Sequence, residues 1–144
     1  MREILFRAKS IQTGEWIEGI PIKTHLGLFI SFEENPHYCS QYGYMEIDDI
    51  LMVGEKTLCQ FTGLCDKNGK KIWENDIVLV IYENRYYEKK ELSTGRIVFI
   101  RGTWYIGGKV WNELYAIDED AIFQVEIVGN IFDNPELLQE ESDE

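Results

Sequence analysis

Cysteine is scarce in this chain. Cys39, Cys59 and Cys65 are the only three, an odd number too small for a disulfide framework, so the sequence predicts free thiols in a reducing, cytoplasmic setting. Histidine is scarcer, with only His25 and His37. His37 and Cys39 stand close together, but there is no C-x2-C pair and no matched second half, so the spacing does not describe a zinc site. Cys59 falls in an apparent strand, where a free cysteine is an ordinary small hydrophobe. No apolar stretch approaches the ~20 residues needed to cross a bilayer. The opening MREILFRAKS sets charges inside its first apolar run, unlike a signal peptide or an amphipathic transit helix.

Positive charge is also short. Fourteen Lys and Arg stand against 26 Asp and Glu in 144 residues, a net −12. The deficit is uneven: residues 1–72 carry 8 basic and 10 acidic side chains (−2), and residues 73–144 carry 6 and 16 (−10). Such a field repels phosphate backbones at long range, so bulk affinity for nucleic acid is not expected, whereas a basic protein surface would be attracted. Residues 139–144 read as an acidic, solvated tail.

What is abundant is apolar and aromatic: 44% and 13% of the chain, enough for a real core. Short apolar runs recur with turn formers about every ten residues, which predicts a mainly β fold. Residues 4–8 and 16–20 read as a hairpin, and residues 28–32 as a third strand. Residues 33–43 have no period and read as a loop, while residues 45–52 fit either a helical turn or a short edge strand. Residues 57–62 read as a strand, and Asn68-Gly69 then supplies a tight hairpin turn. Residues 77–82, IVLVIY, are apolar throughout and β-branched, as in a strand covered on both faces. Residues 83–94 read as a loop or hairpin tip, followed by strands at 96–100, 103–106 and 123–128, with a turn at Arg101-Gly102. A short helix follows, with Asp133 or Asn134 as N-cap, Pro135 in its first position and Glu136 at the positive end of its dipole.

The densest signal is residues 61–80, FTGLCDKNGKKIWENDIVLV. Asp66-x-Asn68 looks like the start of a calcium loop, but Gly69 stands fourth where such a loop needs its glycine sixth. Thr62, Gly63, Asp66, Asn68, Gly69, Asn75 and Asp76 are better read as a hairpin and a second corner. No P-loop, nucleophile elbow or Ser/His/Asp arrangement is present, so no enzyme, catalytic residue, metal or cofactor is expected.

The same stretch is similar to the YopX family of phage and prophage proteins, whose pattern is roughly TGL-x-D-K-N-G-K-x-I-aromatic-E-G-D-I-V. Thr62-Gly63-Leu64, Asp66 to Lys70, Ile72-Trp73-Glu74 and Asp76-Ile77-Val78 match it. Arg2 to Ala8 resembles the family's REIKFRAW opening, and Val128 to Leu138 its VIGNIYENPEL ending. Asn75 replaces the usual glycine, and Lys9 stands where the family often has Trp. Asn tolerates a left-handed backbone best after glycine, so the corner is expected to persist. The resemblance implies a small N-terminal β region over residues 1–55, an SH3-like, partly open barrel over 56–138 with a short C-terminal helix, and homo-oligomers. It implies no activity.

Two surfaces remain. Lys67, Lys70 and Lys71 beside Trp73, with Arg85, Tyr86 and Tyr87, form the basic–aromatic groups that could stack single-stranded nucleic acid, although interleaved glutamates favour a solvated tip. Trp104, Tyr105, Trp111 and Tyr115 are candidates for a protein interface or for core. The reading is a phage-derived accessory protein that self-assembles and works by protein contact, with no membrane partner. A nucleic-acid-binding barrel, or an acidic DNA mimic occupying a basic host or phage protein, are the alternatives.

Overall fold

The computed structural model describes residues 3–32, 37–39, 44–46, 49–83, 89–108, 112–113 and 123–139. As the sequence predicts, the fold is mainly β with one short helix near its C-terminal end. The strands are antiparallel and lie in open sheets, none closed into a barrel. The chain divides into two compact units, Met1–Phe61 and Thr62–Glu144.

In the first unit, β1 (Phe6–Lys9), β2 (Trp16–Thr24), β3 (Gly27–Ser31) and β6 (Ile50–Val53) lie in the order β6-β3-β2-β1. The beginning of β7 (Cys59–Cys65) extends the sheet beside β1, pairing Cys59 with Arg7 and Gln60 with Phe6. A separate hairpin joins β4 (His37–Cys39) to β5 (Tyr44–Glu46). Residues 37–39 are therefore a strand where a loop was expected. The ambiguous segment at 45–52 resolves as strand, because β6 pairs residue for residue with β3 from Leu28↔Val53 to Ser31↔Ile50. The core of this unit is Ala8, Leu28, Ile30 and Val53, with Ile17 and Leu58 packed against it. Both sides of β6 are hydrogen-bonded: beyond β3, residues just after β1 meet its other edge through the Ser10↔Val53 bridge and Ile11 N–H to Met52 C=O at 3.1 Å.

In the second unit, β9 (Asp76–Glu83), β10 (Lys89–Ile100), β11 (Thr103–Gly107), β12 (Asn112–Glu113) and β13 (Phe123–Asn130) form a sheet ordered β12-β11-β10-β9-β13. Central β9 is the run read as covered on both faces, and Ile77, Val78, Val80 and Ile81 are all buried. Val78, Val80, Ile97, Trp104, Ile106 and Val125 build the core. Ile72 from β8 (Lys71–Trp73) and Leu64 from β7 complete it. Residues 101–102 form the predicted two-residue turn, with φ of 52° and 80° at Arg101 and Gly102. Ahead of α1 (Glu136–Gln139), Asn130 Oδ1 accepts the N–H groups of Phe132 and Asp133 at 3.0 and 2.9 Å. Asn134, one of the two expected helix caps, instead turns its Oδ1 back to Asn130 N–H at 3.3 Å.

Candidate functional site

The residues between Thr62 and Asp76 bear the polar groups that a site would need, so their partners decide what they can do. Asp66 sits at the mouth of the β7–β8 hairpin and is only 7% exposed. Its Oδ1 accepts the N–H groups of Asn68 and Lys70, each at 2.9 Å, in the side-chain-to-backbone pattern that shapes tight turns. Its Oδ2 accepts the N–H of Ile127, on β13, at 3.1 Å. Beside it, Lys67 N–H donates to Val125 C=O at 3.0 Å. One carboxylate therefore folds the hairpin and fastens it to the outer edge of β13, a row of backbone groups that would otherwise need other partners. Gly69 adopts φ 81°, as the Asn-Gly turn requires.

Thr62 and Asp76 are used in the same way. Buried Thr62 donates its hydroxyl to Ile72 C=O at 2.8 Å and accepts Leu64 N–H at 3.1 Å. Gly63, between them, has φ 88°. Asp76 is 2% exposed, and its Oδ2 accepts Trp73 N–H at 2.8 Å. Asn75 occupies the left-handed region at φ 69°, so the corner has the backbone that the usual glycine would supply. Its N–H donates to Ile97 C=O at 2.9 Å and its C=O accepts Ile131 N–H at 3.1 Å. All seven expected turn residues thus lie in the hairpin and corner. Asp66, Thr62 and Asp76 are bound to backbone groups rather than gathered around an opening.

The basic–aromatic cluster comes apart at its aromatic member. Lys67 and Lys70 are exposed at the hairpin tip and Lys71 is half-buried, but Trp73 is 3% exposed and cannot present a face for stacking. Arg85, Tyr86 and Tyr87 lie outside the described residues, as do Trp111 and Tyr115. Of the two alternatives left open for Trp104, interface or core, the structure places it in the core. It is 1% exposed, with its ring 4.7 Å from that of Phe99. Its indole N–H finds no acceptor among the described residues. Tyr105, the next residue along β11, is half-buried and faces the other way. Period-2 alternation through TWYIG could have sorted these two, given the inward face of the strand.

Among the described residues, no three His, Cys, Asp or Glu side chains are gathered as a metal ion would need. Cys59 is buried, with its Sγ 3.2 Å from Thr57 C=O, and Cys65 is exposed. No helix among them is long and apolar enough to cross a membrane. Sequence reasoning missed a different feature: large apolar side chains left in solvent, among them Ile20, Met52, Phe99 and Val128.

The chain is similar to the crystal structure of protein EF1440 from Enterococcus faecalis. The two are 21% identical over 96% of this chain and 99% of that chain, with a TM-score of 0.54, a likeness that shows the fold alone. No curated protein matches the chain. The family model described as YopX protein matches residues 5–139. That match takes in the β1 strand, the hairpin and corner of residues 62–76 and the turn before α1, and the chain belongs to the YopX protein family.

Proposed function

We propose that this protein is a phage- or prophage-derived, cytoplasmic accessory protein that self-assembles and acts by protein–protein contact rather than by catalysis. The observation that carries this reading is a contrast between two kinds of side chain. In the hairpin and corner of residues 62–76, the polar side chains Asp66, Thr62 and Asp76 are buried and hydrogen-bonded to backbone. The side chains offered to solvent include Ile20, Ile50, Met52, Phe99 and Ile100. Catalysis needs reactive groups in reach of a substrate, whereas association needs apolar area that water leaves. A net charge of −12 keeps such a chain soluble despite that area.

Static light scattering of the full chain at tens of micromolar tests the assembly. A mass at a multiple of 16.9 kDa is the expected result. A monomer throughout that range removes self-assembly from the reading.

A further inference from the structure

We propose that Asn68 is a modification site, an asparagine set to deamidate, and that Asp66 holds the reaction back while the hairpin is closed. This goes beyond the self-assembling reading and does not depend on it.

The chemistry lies in the pair Asn68-Gly69. The backbone nitrogen of Gly69, once hydroxide has taken its proton, attacks Asn68 Cγ. A Cγ–N bond forms and the Cγ–Nδ2 bond breaks. Nδ2 leaves as ammonia with a proton from water, which regenerates the hydroxide. The product is a five-membered succinimide. Water then adds to one of its two carbonyls and opens the ring, giving aspartate or isoaspartate at position 68. Nothing is oxidised or reduced, and water is the only co-reactant.

The residue after an asparagine governs this reaction, because its side chain crowds the approach of its nitrogen to Cγ. The chain has seven asparagines, and glycine follows only Asn68. Proline follows Asn35 and Asn134, and proline has no N–H to lose. Asn68 and Gly69 are both exposed, and a Cβ built on Gly69 would meet nothing within 4 Å. Water and hydroxide therefore reach both reacting groups.

The closed turn opposes the attack. Gly69 N–H carries the proton that must be lost, and it donates to Asp66 C=O at 3.0 Å. On either side, Asp66 Oδ1 accepts the N–H groups of Asn68 and Lys70, each at 2.9 Å. Three donors bound to one residue fix residues 66–70 as a tight turn, with Gly69 at φ 81°. Bringing Gly69 N onto Asn68 Cγ requires rotation about the bonds between them, which pulls that nitrogen away from Asp66. The reaction thus passes through the open hairpin, and its rate measures how often the hairpin opens.

The product does not restore the turn. Isoaspartate carries the main chain through Cβ and Cγ, which adds one atom between positions 68 and 69. Lys70 N–H is then displaced from Asp66 Oδ1. The same carboxylate holds Ile127 N–H at 3.1 Å, so the fastening to β13 loosens with the turn.

The test follows acidic species of the full chain by ion-exchange chromatography during incubation at mildly alkaline pH. Peptide mapping places the change. The folded chain should form aspartate and isoaspartate at position 68 about ten-fold or more slowly than the same chain in guanidinium chloride. Asn68→Ser should form neither. Asp66→Ala, with near-UV circular dichroism to verify folding, should react at least about three-fold faster than the native chain. If that variant does not fold, the comparison of folded and unfolded native chain still decides. Equal rates for those two, or an intact Asn68 in both, would overturn the proposal. A folded Asp66→Ala protein that reacts no faster than the native chain would take the hold away from Asp66.

Discussion

Asp66 shows how a side chain of catalytic type becomes structural. Its two oxygens accept three backbone N–H groups, from Asn68, Lys70 and Ile127. Removing the carboxylate leaves those donors short of an acceptor, and an unmet buried donor costs more than the net value of an ordinary hydrogen bond. Asp66→Ala should therefore lower stability by about 2–4 kcal/mol, read as a fall in the urea midpoint at constant m. Asp66→Asn keeps one acceptor oxygen and should lose about 1–2 kcal/mol. Equal stability for all three proteins would mean that the carboxylate does not fasten the hairpin. Asn75 is the second such position. At φ 69° a β-branched residue is strained where Asn and Gly are not. Asn75→Val should cost about 1–3 kcal/mol and Asn75→Gly less than about 1 kcal/mol, compared by thermal melts. A valine as stable as the native residue would contradict the left-handed corner. Both residues were legible as turn formers, because Asp66 opens the run that ends in Asn68-Gly69 and Asn75-Asp76 makes a second such pair. The fastening of Asp66 to Ile127 was not, since 61 positions separate the partners.

Strands and turns divide by whether their signal is local. The run Ile77–Tyr82 read as a doubly covered strand, and it is the central one, flanked by β10 and β13. The Arg101-Gly102 turn likewise follows from its own residues. By contrast, Lys89-Lys90-Glu91 is polar and fell in a segment read as a loop or hairpin tip, yet β10 begins there, because Tyr82 and Ile81 of β9 offer a ladder that charged residues can join. Thr57, read as the start of a strand over 57–62, instead closes a single 3-10 turn over Glu55–Thr57, and the strand begins at Cys59. In that turn Thr57 donates to Gly54 C=O at 2.6 Å and accepts Lys9 N–H at 2.9 Å, a long-range partner invisible in the sequence. The aromatics of 104–105 stayed open between core and interface for a related reason: sorting core from surface requires the face each strand turns inward. Gly95 tests the packing of these elements. A Cβ there would stand 2.6 Å from Ile106 Cγ2 and 2.9 Å from Gly107 O, where β10 crosses β11. Gly95→Ala should destabilise by about 1–3 kcal/mol through overpacking, although alanine normally suits a strand better than glycine. A stabilised Gly95→Ala protein would show that the two strands have room to part.

Over the whole molecule, two forces act on self-association with opposite responses to salt. Exposed apolar side chains such as Ile20, Met52 and Phe99 gain from leaving water, a term that simple salt at moderate concentration changes little. Ion pairs at the rim of such an association would lose strength as salt rises, but each contributes only about 0–1 kcal/mol. Against both stands the mutual repulsion of two chains of net charge −12. Many like charges spread over each surface act at long range, which is the part of the interaction that counterions remove first. The screening length falls from about 30 Å at 0.01 M salt to about 8 Å at 0.15 M, so most of that repulsion disappears over this range. Net repulsion outweighs a few rim pairs, and the assembly should tighten several-fold between those two salt concentrations. An acidic chain held to a basic partner would respond in the opposite direction, because each charge pair is then attractive. Sedimentation equilibrium across the salt series separates the two cases. An assembly that loosens steadily as salt is added would place its stability in charge pairs rather than in buried apolar surface.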